Sequence, residues 1–151
     1  MKEFENKVVL ITGGADGIGK GCVMRFAEQG ATVIIGDIQS DKGHALADEI
    51  GASARFVHLD VTDDQAWQNA VALITREFGA LHILVNNAGV SSRTTIEDLD
   101  LAGWRAIHAV NLDAIFLGSH HAIPLIHASG GGSIVTISSA LGIKPCVQFA
   151  V

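Results

Sequence analysis

Short, nearly continuous apolar runs alternate along this chain with longer stretches of helical periodicity. Val8–Thr12, Thr32–Asp37, Ala54–Leu59, Leu81–Val85 and Ser133–Ser138 are rich in β-branched residues and predict strands buried on both faces. Between them, Gly17–Gln29 and Asp41–Ile50 predict helices, followed by Gly30 and Gly51, the residue type favoured just past a helix end. Thr62 with Gln65 predicts a capping box for a helix that ends near Phe78, ahead of Gly79. Leu101–Ala128 predicts one large helix with Asp100 as its N-cap. Pro124 has no amide donor and is expected to kink or shorten the last turns of that helix.

This βαβαβαβαβ order predicts an α/β fold, a Rossmann-type doubly wound parallel sheet with right-handed crossovers and helices on both faces. With strands ordered 3-2-1-4-5, ligands belong beyond the strands' carboxyl ends, where the order reverses. That places chemistry just after Thr12, Asp37, Leu59, Val85 and Ser138. Ser133–Ser138 then becomes an apolar outer edge without Pro or Lys to blunt it, which is an aggregation liability. Residues 1–151 read as a single domain with no repeat or linker.

Composition narrows the functional classes. Hydrophobic residues make up 48% and charged residues 17%, enough for a core and against disorder. A net charge of -6, with ten scattered Lys and Arg, argues against a nucleic-acid partner. No apolar run reaches the ~18 residues of a membrane span. The charged start MKEFENK leads into too short an apolar run for a signal peptide, so a cytoplasmic location is expected. Cys22 and Cys146 read as reduced thiols, not a disulfide framework. No metal-ligand cluster is apparent: His120 and His121 are adjacent and diverge on a helix.

The first predicted strand runs into Thr12-Gly13-Gly14-Ala15-Asp16-Gly17-Ile18-Gly19. Gly13 permits a tight turn, while Gly17 and Gly19 let a pyrophosphate approach the backbone and let the helix pack on the sheet. Amides at the helix start then hold the anion. The competing reading is an ordinary glycine-rich turn. Asp37 ends the second strand 18 residues after Gly19, where a carboxylate accepts hydrogen bonds from ribose hydroxyls. A 2′-phosphate beside it would meet like charge, a cost of about 4 kcal/mol at 4 Å and an effective dielectric of 20. Ile38, Gln39 and Ser40 follow and offer no cation, and Asp16 is acidic too. NAD is therefore expected over NADP. The competing reading of Asp37 is a solvated strand-end carboxylate.

TGGADGIG at 12–19, LDV at 59–61, NNAG at 86–89, Asn111, and GSIVTISS at 132–139 together resemble the ordered motifs of the short-chain dehydrogenase/reductase family, over essentially the whole chain. The resemblance implies a seven-stranded Rossmann sheet and hydride transfer between a nicotinamide and an alcohol or ketone. It implies that Gly13, Gly17, Ile18 and Gly19 form the pyrophosphate turn and that Asp37, with Ile38 beside it, meets the adenosine ribose. It places Asp60 and Val61 beside the adenine, and Asn87, Ala88 and Gly89 beneath the cofactor ribose. Asn86 would tie strands together. It makes Asn111 the helix asparagine that holds a relay water, and Ser139 the catalytic serine, with Ser138 the alternative. Read by themselves, Asn111 and Ser139 are a helix amide and a strand-end hydroxyl.

The family's acid/base is a tyrosine about a dozen residues after the serine, with a lysine four residues further on to lower its pKa. This sequence holds no tyrosine, and the position would fall at 152, one past Val151. His108, His120, His121 and His127 are basic candidates by type, but nothing puts them beside Ser139. The chain therefore reads as an incomplete domain. Its full-length form is expected to be an NAD-dependent alcohol dehydrogenase or ketone reductase and a homo-oligomer, dimer or tetramer. The alternative is a truncated, catalytically silent nucleotide-binding or dimerising protein. The substrate pocket would involve Val90–Thr95 and Leu141–Phe149, where Leu141, Ile143, Val147 and Phe149 hint at an apolar substrate.

Overall fold

In the computed structural model, which describes residues 2–92 and 94–140 together with Ile143, the first apolar run becomes the centre of the sheet. That strand, β1 (Val8–Thr12), pairs in parallel with β2 (Thr32–Asp37) on one side and β4 (Ile83–Asn86) on the other. β3 (Ala54–His58) and β5 (Ser133–Thr136) complete the order β3-β2-β1-β4-β5. The expected Rossmann-type sheet and its 3-2-1-4-5 order are found. The reversal of direction lies between β1 and β4, so the crevice opens above Thr12 and Asn86.

The period-2 alternation of β1 splits its side chains between two cores. Val9 and Ile11 pack with Val23 of α1 (Gly17–Glu28) and Leu46 of α2 (Ser40–Ile50). Leu10 packs on the opposite face with Trp67 and Ile74 of α3 (Asp64–Phe78) and with Ala122 and Ile126 of α5 (Ala114–Ala128). At full burial each such Leu or Ile contributes about 1.5–3 kcal/mol, which explains why the apolar runs are continuous and not alternating.

Three helix starts are capped by carboxylates. Asp16 accepts from the Gly17 amide at 2.8 Å and Asp100 from the Gly103 amide at 2.7 Å, the latter as expected. At α3 the expected capping box from Thr62 and Gln65 does not form. Asp63 is the N-cap and accepts from the Gln65 amide at 2.8 Å, while Thr62 turns back to Asp60. A charged oxygen gains from the helix dipole as well as from the hydrogen bond, so it displaces the hydroxyl.

The long helix is also different from expectation. α4 (Leu101–His108) passes into a π-helical turn, Ala109–Asp113, and then into α5. The break in regularity falls at Asn111, not at Pro124, and α5 runs through Pro124 to Ala128. Pro124 lies on the exposed side of the helix, where the carbonyl deprived of its donor meets water. Strand ends shift by one or two residues. The Leu81 amide donates to Ser129 Oγ at 3.0 Å, so β4 starts at Ile83, and the β4–β5 ladder closes with Ile137 N on Asn86 O at 2.9 Å. Among the described residues β5 is an edge strand, with Ile134, Val135 and Ile137 exposed, as its sequence predicts.

Candidate functional site

The crevice above the reversal point is a cleft of about 490 Å³, within the size range of small-molecule sites. Its floor is built by two turns that hold each other. The buried Thr12 hydroxyl accepts from the Asn87 and Ala88 amides, both at 3.0 Å. The Asn87 side-chain amide donates to Thr12 O at 2.9 Å and Gly13 O at 3.1 Å. The end of β1 and the segment after β4 are thus one hydrogen-bonded unit.

The glycines divide the labour. Gly17 has φ +53°, and a Cβ there would meet nothing within 4 Å, so its backbone is open to the cleft. Gly19 does not line the cleft. A Cβ on it would lie 2.0 Å from Gly13 O and 2.5 Å from Asn87 Nδ2, so Gly19 is needed for helix-to-turn packing. The open Gly17 backbone at the start of α1 is a cradle that fits a pyrophosphate.

Asp37 is buried at the tip of β2. Its Oδ2 accepts from the Ala15 amide at 3.0 Å and its Oδ1 from the Gln39 amide at 2.9 Å. The carboxylate is therefore fixed in the cleft wall, with Ile38, Gln39, Leu59, Asp60 and Val61 beside it. Asp60 is held below the usual carboxylate range by the Thr62 amide first and the Thr62 hydroxyl second. Asp16 also lines the cleft, and its Oδ2 lies 2.6 Å from Lys42 Nζ. That corrects the expectation of a cation-free surrounding. Lys42, in the first turn of α2, stands beside Asp16 and lowers its pKa through its hydrogen bond, with the Gly17 amide second. No strand-end motif reveals Lys42; only the turn after Asp37 brings it back towards Asp16.

Of the expected cofactor residues, Gly13, Gly17, Ile18, Asp37, Ile38, Asp60, Val61, Asn87, Ala88 and Gly89 line the one cleft. Val90, expected to line the substrate pocket, and Val110, not singled out by sequence, extend it. The two expected catalytic residues lie beyond its lining. Asn111, in the π-turn, pairs with Val90 in both directions: Nδ2 donates to Val90 O at 2.8 Å and Oδ1 accepts from Val90 N at 2.9 Å. Its side chain is thereby committed to holding the segment after Gly89. Ser139 and Ser138 follow β5 at the same carboxyl edge of the sheet. Leu141, Val147, Phe149 and Cys146 lie outside the described residues.

His121 Nε2 is 2.7 Å from Asp64 Oδ1 and joins α5 to α3, a contact that leads the causes lowering the Asp64 pKa. Asn86 is buried against Gly118 of α5, and its Nδ2 has no hydrogen-bond partner among the described residues. No group of three His, Cys, Asp or Glu among them is placed to hold a metal.

A parallel sheet ordered 3-2-1-4-5, with a glycine turn after β1 and a carboxylate at the tip of β2, defines a Rossmann-type α/β protein. The chain belongs to the short chain dehydrogenase family, whose model matches residues 7–151. It is 46% identical over 142 residues to 2,5-dichloro-2,5-cyclohexadiene-1,4-diol dehydrogenase LinX of Sphingobium indicum, covering 92% of this chain and 57% of that protein. It is 44% identical to the 3-alpha-(or 20-beta)-hydroxysteroid dehydrogenase of Mycobacterium tuberculosis, covering 93% and 54%, and 38% identical to the cyclohexanol dehydrogenase of Acinetobacter sp., covering 93% and 58%. The crystal structure of gox2181 superposes with a TM-score of 0.92 at 32% identity, over 97% of this chain and 59% of that one. The chain thus spans a little over half the length of these relatives.

Proposed function

We propose that the protein serves an NAD-dependent oxidoreductase reaction on a secondary alcohol or its ketone. The observation that carries this reading is Asp37, a carboxylate fixed in the cleft wall against an open glycine turn. Ribose hydroxyls satisfy its remaining acceptor sites, whereas a 2′-phosphate meets like charge. Bound NAD supplies a hydride acceptor or donor. The chain's own residues hold the dinucleotide along Gly17, Asp37, Asp60 and Asn87, and Asn111 keeps Val90 against the cleft.

In this reading Ser139 donates a hydrogen bond to the substrate oxygen. The relatives' names describe hydroxyls on a ring or, for the 20-beta position of a steroid, on a carbon attached to one, which supports a secondary alcohol of a cyclic compound as substrate class. The exposed apolar side chains Leu112, Phe116 and Ile123 of the π-turn and α5 support self-association. For the 151 residues by themselves, nucleotide binding without turnover is favoured, because they include no tyrosine to take or give the proton.

Calorimetric titration with NAD(H) and NADP(H) tests the reading. Tighter binding of NAD(H) is expected, with Asp37→Ala narrowing the gap. Equal or tighter binding of NADP(H) by the unaltered protein would overturn it.

A further inference from the structure

Lys42 lines a shallow groove that adjoins the main cleft at Ile38 and Gln39, next to Asp37, and its charge is already matched. Its ammonium lies 2.6 Å from Asp16 Oδ2. The other nearby lysine, Lys20, faces Glu49 at 3.8 Å. Asp37 is locked by backbone amides on both oxygens. Asp16 and Lys42 are both more than half exposed, so this pair can rearrange when one partner is changed.

The geometry points to Asp16 as a second specificity-determining residue, a counter-ion that keeps Lys42 from recruiting a 2′-phosphate. The inference rests on the dinucleotide reading above and adds a division of roles. Asp37 meets the ribose directly, while Asp16 works through Lys42. With Asp16 ionised, the ribose end carries two carboxylates and one ammonium. With Asp16 neutral, Lys42 and Asp37 balance, and a flexible ammonium is released beside the ribose.

Asp16→Asn tests this, because asparagine caps a helix as well as aspartate does and the start of α1 is preserved. Asp16→Ser, which keeps a capping hydroxyl, is the second variant should the first fold poorly. The probes are NAD, NADP, 5′-ADP and 2′,5′-ADP, titrated by calorimetry, so that binding is read without turnover. In Asp16→Asn, affinity for NADP relative to NAD, and for 2′,5′-ADP relative to 5′-ADP, should rise about tenfold. Lys42→Met alone should not raise affinity for NADP or 2′,5′-ADP, since it leaves both carboxylates in place and removes the ammonium. Combining Asp16→Asn with Lys42→Met should remove most of the gain.

If the double variant binds 2′,5′-ADP as tightly as Asp16→Asn, Asp16 acts by its own charge and the counter-ion role is overturned. No gain in Asp16→Asn overturns it as well. Failure of the unaltered protein to bind NAD or 5′-ADP would instead sink the dinucleotide reading, and this inference with it.

Discussion

The Thr12 hydroxyl sits 3.0 Å from the backbone nitrogen of Asn87 and joins the tip of the central strand to the turn that follows its neighbour. The same oxygen accepts from Ala88 N at 3.0 Å and donates to Val85 O at 3.4 Å. Removing it leaves two amides without an acceptor in a part-buried turn. Thr12→Val is therefore expected to cost about 2 kcal/mol of stability, from the ~1–3 kcal/mol of an unsatisfied buried donor. NAD affinity should fall with it, and Thr12→Ser should restore both. Denaturant unfolding and calorimetry check this; an unchanged Thr12→Val would show that the turn is held by other contacts.

Two neighbouring glycines of α1 should respond in opposite ways to alanine. At Gly19 the added Cβ would lie 2.0 Å from Gly13 O, so Gly19→Ala is expected to displace the glycine turn and abolish dinucleotide binding. At Gly21 the same Cβ meets nothing within 4 Å. Gly21→Ala should stabilise the protein by about 0.4–1 kcal/mol through helix propensity and a less flexible unfolded chain. Similar behaviour of the two variants in melting temperature and NAD affinity would contradict the packing role of Gly19.

His82 makes stability depend on pH. Val8 N donates to His82 Nδ1 at 3.0 Å, and His82 N donates to Val8 O at 2.9 Å, so the ring extends the β1–β4 ladder as an acceptor. Burial first, and Lys7 second, hold its pKa below the ordinary 6.5. A depressed histidine pKa means that the unfolded chain binds the proton more readily. The contribution is complete above pH 6.5 and is lost as pH falls from there through the folded-state pKa. Urea midpoints between pH 7.5 and 5 should fall more steeply for the unaltered protein than for His82→Leu. Parallel curves would remove His82 from the account.

Ser139 and Asn111 should separate in a form of the protein that turns over. If the Ser139 hydroxyl acts on the substrate oxygen as proposed, Ser139→Ala should lower kcat at least about tenfold with NAD affinity nearly intact. Asn111→Ala releases Val90 as well, so KM and kcat should both change. Loss of NAD binding in Ser139→Ala would assign it a structural role.

A polypeptide of these 151 residues by itself should bind NAD yet show no dehydrogenase activity, because it contains no tyrosine for the proton step. The exposed Ile134, Val135 and Ile137 along β5 should make it self-associate. Assay it with a panel of cyclic secondary alcohols, beside a form extended by about a hundred residues, and follow light scattering. Comparable turnover by the shorter form would overturn the tyrosine argument.

Much of the fold was legible because the strands are buried on both faces. Continuous β-branched runs such as Val8–Thr12 and Thr32–Asp37 admit little else, and both strands match their predicted bounds. The cleft residues were legible for a related reason: a parallel sheet has one functional edge, and strand ends can be read from periodicity. Gly13, Gly17, Asp37, Asp60 and Asn87 accordingly share one cleft.

What tertiary structure alone decided is which polar groups meet. Asp63 and not Thr62 caps α3, because the Thr62 hydroxyl is taken by Asp60 and the Asp63 charge gains from the helix dipole. The helix breaks at Asn111 and not at Pro124, where the Asn111 side chain closes two hydrogen bonds on Val90, a residue 21 positions away. Lys42 meets Asp16 across 26 positions, although the residues directly after Asp37 offer no cation. Burial of apolar surface is non-directional and leaves its period in the chain, so it can be read locally. Hydrogen bonds and ion pairs depend on distance and angle between groups far apart in sequence, and those are set only once the strands are side by side.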